Sequence, residues 1–268
     1  MRPLGSSGPW HAGEITARAT AILADNPGWI TLDGTNSWLL VEPGSTRAVL
    51  VDPGPDHPGH LDRLVEEAAH RSARITLILL THGHPDHADG ARGLHERTGA
   101  PVRALDPAHR LGGEGLTGGE VITAGGLELS VVATPGHTAD SLTFLLPADR
   151  ALLTGDTVLG RGSAVIAHPD GHLRSYLDSL ARLAEVAERT DAAWVLPGHG
   201  PANPEPARLL ADYLEHRRER LGLVAAALGE GTTDPDALLD VAYPDVPEQL
   251  RWAARLSLAA QVEYLQSV

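Results

Sequence analysis

Residues 75–87 read Ile75-Thr76-Leu77-Ile78-Leu79-Leu80-Thr81-His82-Gly83-His84-Pro85-Asp86-His87. The first six are almost wholly apolar, which predicts a strand buried on both faces of a sheet. Directly after it, three imidazoles and a carboxylate crowd into the six residues 82–87. Packing four polar groups at the end of a buried strand is costly unless something binds them. A divalent cation is the natural partner for neutral imidazole and carboxylate. Gly83 and Pro85 allow the tight, irregular backbone that convergent ligands require. Asp86 and His87 fall where the next helix starts, so the cluster occupies a strand-to-helix loop.

Three further candidates occupy the same structural place, a loop just past a strand. Thr134-Pro135-Gly136-His137 follows Val131-Val132, Gly155-Asp156-Thr157 follows Leu152-Leu153, and Pro197-Gly198-His199-Gly200 follows Val195-Leu196. In layered α/β proteins, strand ends are where ligand-binding loops gather. His82, His84, His87, His137 and His199 with Asp86 and Asp156 supply seven donors. That number suffices for two metals about 3.5 Å apart sharing a bridging hydroxide.

Composition agrees. The 268-residue chain carries 21 basic against 35 acidic side chains, a formal charge of −14, and every basic residue is Arg. Its length suits one large domain, or a domain of about 200 residues with a small appendage. Without cysteine there is no disulfide framework, thiolate nucleophile, Cys-ligated zinc finger or iron–sulfur cluster. Fourteen histidines against ten aromatic residues point to a metal site built from nitrogen and oxygen donors. The negative charge disfavours a dedicated nucleic-acid binder. No apolar run approaches the roughly 20 residues that span a bilayer. Met1-Arg2-Pro3-Leu4-Gly5-Ser6-Ser7 lacks the apolar stretch of a secretory signal, so a cytoplasmic location is expected.

Strand and helix signals alternate from about residue 20 to residue 200. Residues 36–41 and 48–51 are apolar runs around Pro43-Gly44-Ser45 and predict a hairpin. Helical spacing marks residues 60–70 and 173–188, and strands are expected at 121–133, 141–146, 151–154 and 193–196. Beyond Pro206 the pattern turns helical, with stretches at 208–228, from Thr233 as a cap to near Tyr243, and 250–265. This predicts a mixed α/β body over residues 1–207 and an all-helical appendage over residues 208–268.

His82-x-His84-x-Asp86-His87 followed by His137, Asp156 and His199 resembles the metallo-β-lactamase superfamily. The resemblance covers roughly residues 15–205 and implies a four-layer αββα sandwich with the site at one sheet edge. It implies that His82, His84 and His137 hold one metal, that Asp86, His87 and His199 hold the other, and that Asp156 bridges them. Best-known β-lactamases of the superfamily place a Cys where Asp156 falls. Di-iron, oxygen-reducing members carry Glu at the position of His84 and add a flavin domain. Long RNA-processing members insert a domain between the last ligands, whereas Asp156 and His199 are 43 residues apart here. What remains is the compact group of glyoxalase II-like thioesterases, lactonases and a small endoribonuclease-like branch. Thr232-Thr233, the segment Val241 to Pro247 and the final helix resemble the winged-helix-like extension of that branch. Asn36, Asp52-Pro53-Gly54 and Tyr176-Leu177-x-Ser179-Leu180 also fit it, with Tyr176 and His168 as candidate substrate contacts.

The chemistry expected is hydrolysis of an ester, thioester or related acyl substrate by a dinuclear centre, with zinc, iron or manganese as the metal and zinc first. Asp86, a ligand beside the bridging water, doubles as a catalytic group that orients it or accepts its proton. A metal-dependent endoribonuclease on single-stranded RNA is the alternative. From Glu205 to the end, six Arg face eleven acidic residues, a poor footprint for phosphate. Arg217-Arg218-x-Arg220 is therefore read as a solvated or interdomain face, and only Tyr213, Tyr243, Trp252 and Tyr264 could stack bases. A non-catalytic metal-binding module is a third reading, opposed by the retention of all seven ligands. The appendage should instead form a wall beside the metals, because its first helix starts close to His199.

Overall fold

The computed structural model of the chain describes residue 5 and residues 10–267. The reading drawn from residues 1–7 lies outside these, Gly5 apart. One sheet contains β1 (Gly13–Glu14), β2 (Ala19–Leu23), β3 (Asn36–Val41), β4 (Arg47–Val51), β5 (Arg74–Leu79) and β6 (Val102–Arg103), in that order. The other contains β7 (Val121–Ala124), β8 (Leu127–Ala133), β9 (Leu142–Leu146), β10 (Ala151–Gly155) and β11 (Trp194–Pro197), in the order β11-β10-β9-β8-β7. The helices are α1 (Pro58–His70), α2 (Pro85–Ala88), α3 (Gly90–Thr98), α4 (Leu173–Arg189), α5 (Pro206–Gly229), α6 (Pro235–Ala242) and α7 (Arg251–Gln266).

The period of two along each strand sorts side chains into layers. Trp38 and Leu40 of β3 and Val49 and Val51 of β4 meet Leu129, Val131, Phe144 and Leu153 between the sheets. Their neighbours Leu39 and Leu50, with Ile78, face outward onto Leu61 and Leu64 of α1 and Leu94 of α3. On the far side, Leu145, Leu152 and Val195 pack beneath Leu180 and Leu183 of α4 and Leu209 and Leu210 of α5. The outcome is the expected αββα sandwich, and it explains why the central strands read as unbroken apolar runs. Each fully buried Leu contributes about 1.5–3 kcal/mol.

The helical segment is continuous with the body. Leu209, Leu210 and Tyr213, early in α5, belong to the core under α4. Val224 and Ala227, late in the same helix, pack with Leu238 and Leu239 of α6 and Ala254 and Leu258 of α7. Among the described residues no strand follows β11, so these helices carry no β wing. A short turn over Glu248–Leu250 leads into α7. Asp234, not Thr233, caps α6, its Oδ2 accepting from the Ala237 amide at 3.0 Å.

The parallel pairs β4–β5 and β10–β11 place their C-terminal ends on one rim of the sandwich. The two sheets are stitched together there. Asn36 donates through Nδ2 to the carbonyls of Pro197 and Gly200 at 3.0 and 2.8 Å. The Leu142 amide of the second sheet donates to Thr81 O of the first at 2.8 Å. No described helix is long and apolar enough to cross a membrane.

Candidate metal centre

All seven expected ligands converge on that rim. Beyond β5 the chain turns at Thr81, and Pro85 opens α2 so that Asp86 and His87 fall in its single turn. His82 Nε2 and His137 Nε2 each lie 3.1 Å from His84 Nδ1. Nearby, His199 Nε2 is 3.1 Å from Asp86 Oδ2 and 3.3 Å from His87 Nε2. Asp156 stands between the two groups. Its Oδ1 is 3.4 Å from His87 Nε2, and its Oδ2 is 3.3 Å from His199 Nε2 and 3.7 Å from His137 Nε2.

The other nitrogen of four of these rings is already committed. Asp52 Oδ2 accepts from His87 Nδ1 at 2.9 Å, Val165 O from His137 Nδ1 at 2.5 Å, and Gly34 O from His199 Nδ1 at 3.2 Å. Thr81 Oγ1 gives its single proton to Asp52 Oδ2 at 2.7 Å, so its oxygen accepts from His82 Nδ1 at 3.0 Å. In its neutral form each of these rings therefore turns an Nε2 lone pair toward the centre, the form in which it can hold a cation. Asp52 also accepts from the Thr81 amide at 2.8 Å. Its φ of 54° is left-handed, a conformation Asp tolerates and these three bonds hold.

Does this donor set fit a cation? Asp156 Oδ1 is buried with no hydrogen-bond partner. Facing ring nitrogens about 3 Å apart cannot all be satisfied by one another, whereas a cation between them satisfies every one. Three groups have ligand atoms within 4.8 Å of one another: His82, His84 and His137; Asp86, His87 and His199; and His82, His87 and Asp156. Imidazole and carboxylate without thiolate suit zinc, iron or manganese. The residues fit a metal.

Electrostatics in the metal-free chain follow from burial and close pairing. Burial pushes His82 well below its ordinary value, with His87 and His137 adding to the effect, and takes His137 down to about 4. Desolvation also opposes charge on Asp156, but His199 and His87 outweigh it and hold the carboxyl well below the usual range. Against the same burial, His87 and His199 keep Asp86 down at about 2. His87 and His199 move the other way: burial would lower them, and Asp156 raises them, His199 to about 9.

Close backbone approach is part of the design. A Cβ on Gly198 would lie 2.5 Å from Asp156 Oδ1 and 2.6 Å from His87 Cε1. Gly136, with φ of 136°, brings the His137 loop within 2.3 Å, measured from its would-be Cβ, of Tyr176 Cα in α4.

A pocket of about 480 Å³ opens from His84, Asp86, His137, Asp156 and His199 toward α5 and α7. Trp29 and Trp252, each more than half exposed, stand among its lining residues. The helical segment thus walls the site as its position in the sequence implied. Tyr176 does not reach this pocket. It is fully buried, its hydroxyl donating to Thr157 O at 2.7 Å, so packing replaces the substrate contact read for it. His168 is also absent from the lining; its Nδ1 lies 3.7 Å from Glu263 Oε2, whereas its neighbour Ala167 does line the pocket. Sequence reasoning missed the role of Asp52, although Asp52-Pro53-Gly54 also follows a strand. It also missed Trp29, Leu32 and His216 of the pocket wall, which no local pattern marks.

Comparison with known proteins agrees with this geometry. The family profile described as Metallo-beta-lactamase superfamily matches residues 30–199. The Beta-lactamase-like protein 2 homolog of Caenorhabditis elegans is 31% identical over 260 residues, covering 93% of this chain and 83% of that protein. Lactamase-like protein nscB of Trichophyton rubrum is 32% identical over 220 residues, covering 80% of this chain and 65% of that protein. A Beta-lactamase domain protein from Burkholderia ambifaria superposes with a TM-score of 0.77 over 95% of this chain and 87% of that one, at 21% identity.

Proposed function

The chain belongs to the metallo-β-lactamase superfamily, and on that premise we propose that it is a dinuclear zinc hydrolase of an ester, thioester or related acyl substrate. The observation that carries this reading is the position of Asp156, whose two oxygens approach ligands of both triads at 3.3–3.7 Å. Divalent cations held by such donors activate water and polarise the oxygen that gains charge.

The chain's own residues do the rest. Asp86 stays ionised, with Thr35 Oγ1 donating to its Oδ2 at 3.5 Å, and is placed to accept the proton lost by the attacking water. Asp52 and the carbonyls of Val165 and Gly34 fix the tautomers of His87, His137 and His199. Largely apolar walls from Trp29, Ile30, Leu250 and Trp252 suit a small acyl group.

The size of this pocket and the net acidity of the helical segment speak against single-stranded RNA. A cytoplasmic location is proposed with the same reading. The test is a panel: metal-replete protein assayed against thioester, lactone, β-lactam and single-stranded RNA, each with a chelator control. Chelator-sensitive turnover of an acyl substrate is expected. Chelator-sensitive RNA cleavage with no acyl turnover would replace this reading.

A further inference from the structure

At the helical side of the pocket, two arginines are buried with no ion-pair partner among the described residues. Arg217 is 2% exposed and Arg220 is 6% exposed, and both line the pocket. Neither is ion-paired to a described carboxylate. Arg217 donates through Nη2 to Ala164 O and lies over the Tyr176 ring, 4.9 Å from its centroid. Arg220 donates through Nη1 to Ala242 O and lies over the Tyr243 ring at 4.8 Å. The Nε of each is buried and unpartnered, as is Nδ1 of His216, which lines the same wall. Asp245 and Glu219 are carboxylates whose charge acts on Arg220, and the strongest electrostatic neighbours of Arg217 are Tyr176, Tyr243 and Tyr213.

Two guanidinium groups carry ten N–H donors and two full charges. Carbonyls and ring faces satisfy a few of these donors and cancel neither charge, and a buried charge is costly unless paired. From this we infer that Arg217 and Arg220 form the subsite for an anionic group, carboxylate or phosphate, carried by the substrate of the neighbouring metal centre. The inference rests on the hydrolase reading above for what lies at the metals.

Position supports it. Ala164 O receives Arg217, and the next carbonyl, Val165 O, receives the ligand His137. Consecutive Cα atoms are about 3.8 Å apart, so one short piece of backbone ties the guanidinium to the metal centre. Tyr213 precedes Arg217 by one helical turn and grips the same loop, accepting from the Leu159 amide at 2.8 Å and donating to Gly162 O at 2.7 Å. Ser257 of α7 accepts from the Ile166 amide at 3.1 Å. The Arg-bearing face of α5 is thereby fixed against the loop that holds His137. A substrate seated there presents its electrophilic carbon to the metals and its anionic group to the arginines.

The test uses the zinc-loaded full chain with activated esters that differ only at the acyl terminus: neutral, carboxylate or phosphonate. Calorimetric titration with glutarate and with inorganic phosphate supplies a readout independent of turnover. Charge-assisted hydrogen bonds to one anion correspond to about tenfold or more in affinity. The charged ester should therefore be preferred at least about tenfold in kcat/KM, chiefly through KM. Arg220→Gln should lose that preference and Arg220→Lys should recover part of it, with Arg217→Gln as a second variant. Whichever anion is preferred, carboxylate or phosphonate, identifies the source. If no ester turns over while anion binding still depends on Arg220, the subsite stands and the hydrolase reading falls. Turnover with no preference for charge, unchanged in folded Arg220→Gln, overturns the subsite and leaves the hydrolase reading intact.

Discussion

Asp52 accepts a hydrogen bond from Nδ1 of His87 at 2.9 Å, although the two residues leave different strands, β4 and β5. The same carboxylate holds the Thr81 amide and hydroxyl, and that hydroxyl holds His82. One side chain outside the candidate ligand set thus fixes the ring orientation of two candidate ligands.

Replacing Asp52 should therefore weaken metal binding without touching a ligand. Orienting partners of metal-bound histidines typically contribute about 10–100-fold in metal affinity. Asp52→Ala is expected to lose affinity in that range in a competitive chelator titration. Unchanged affinity would remove its orienting role.

Gly198 offers a steric counterpart. Its would-be Cβ meets Asp156 Oδ1 and His87 Cε1, both closer than real Cβ contacts. Gly198→Ala should retain far-ultraviolet circular dichroism and bind less metal than the parent. Full metal content in the folded variant would show that the ligands can give way.

Legibility in the sequence followed burial. The central strands were readable because both faces are buried, which leaves an apolar run with a sharp end where the ligands begin. The long amphipathic helix read at 173–188 is present at Leu173–Arg189. Short edge strands β1 and β6, two residues each, carry too little pattern to be seen. Arg217 and Arg220 show the opposite problem. The charge run 217–220 reads as a solvated or interdomain face, and the structure divides it: Arg218 and Glu219 are exposed, whereas Arg217 and Arg220 are buried at the junction of α5 with the body. Tyr176 was singled out by its place in a motif, but helix phase turns it inward. A linear sequence does not state which side of a helix its tertiary neighbours take.

Metal binding should depend on pH. His199, raised to about 9 by Asp156 against the effect of burial, is protonated in the metal-free chain at neutral pH, and His87 is raised in the same way. Both must lose that proton to become ligands. Affinity should rise as pH approaches about 9, and calorimetry at neutral pH in buffers of different ionisation enthalpy should detect proton release. Stability of the metal-free chain has the opposite sign. The part due to His199 is complete below the ordinary value of 6.5 and is lost as pH rises through about 9. Thermal midpoints of metal-free protein that rise steadily over this window would contradict the assignment.

The most direct measurement is thioester turnover by metal-depleted protein as zinc is added in known equivalents. If Asp156 joins two ligand triads into one centre, activity is absent after chelation, climbs until two equivalents per chain are bound, and does not return in Asp156→Ala at any zinc level. Turnover that survives chelation, or that saturates at a single equivalent, would contradict the dinuclear hydrolase.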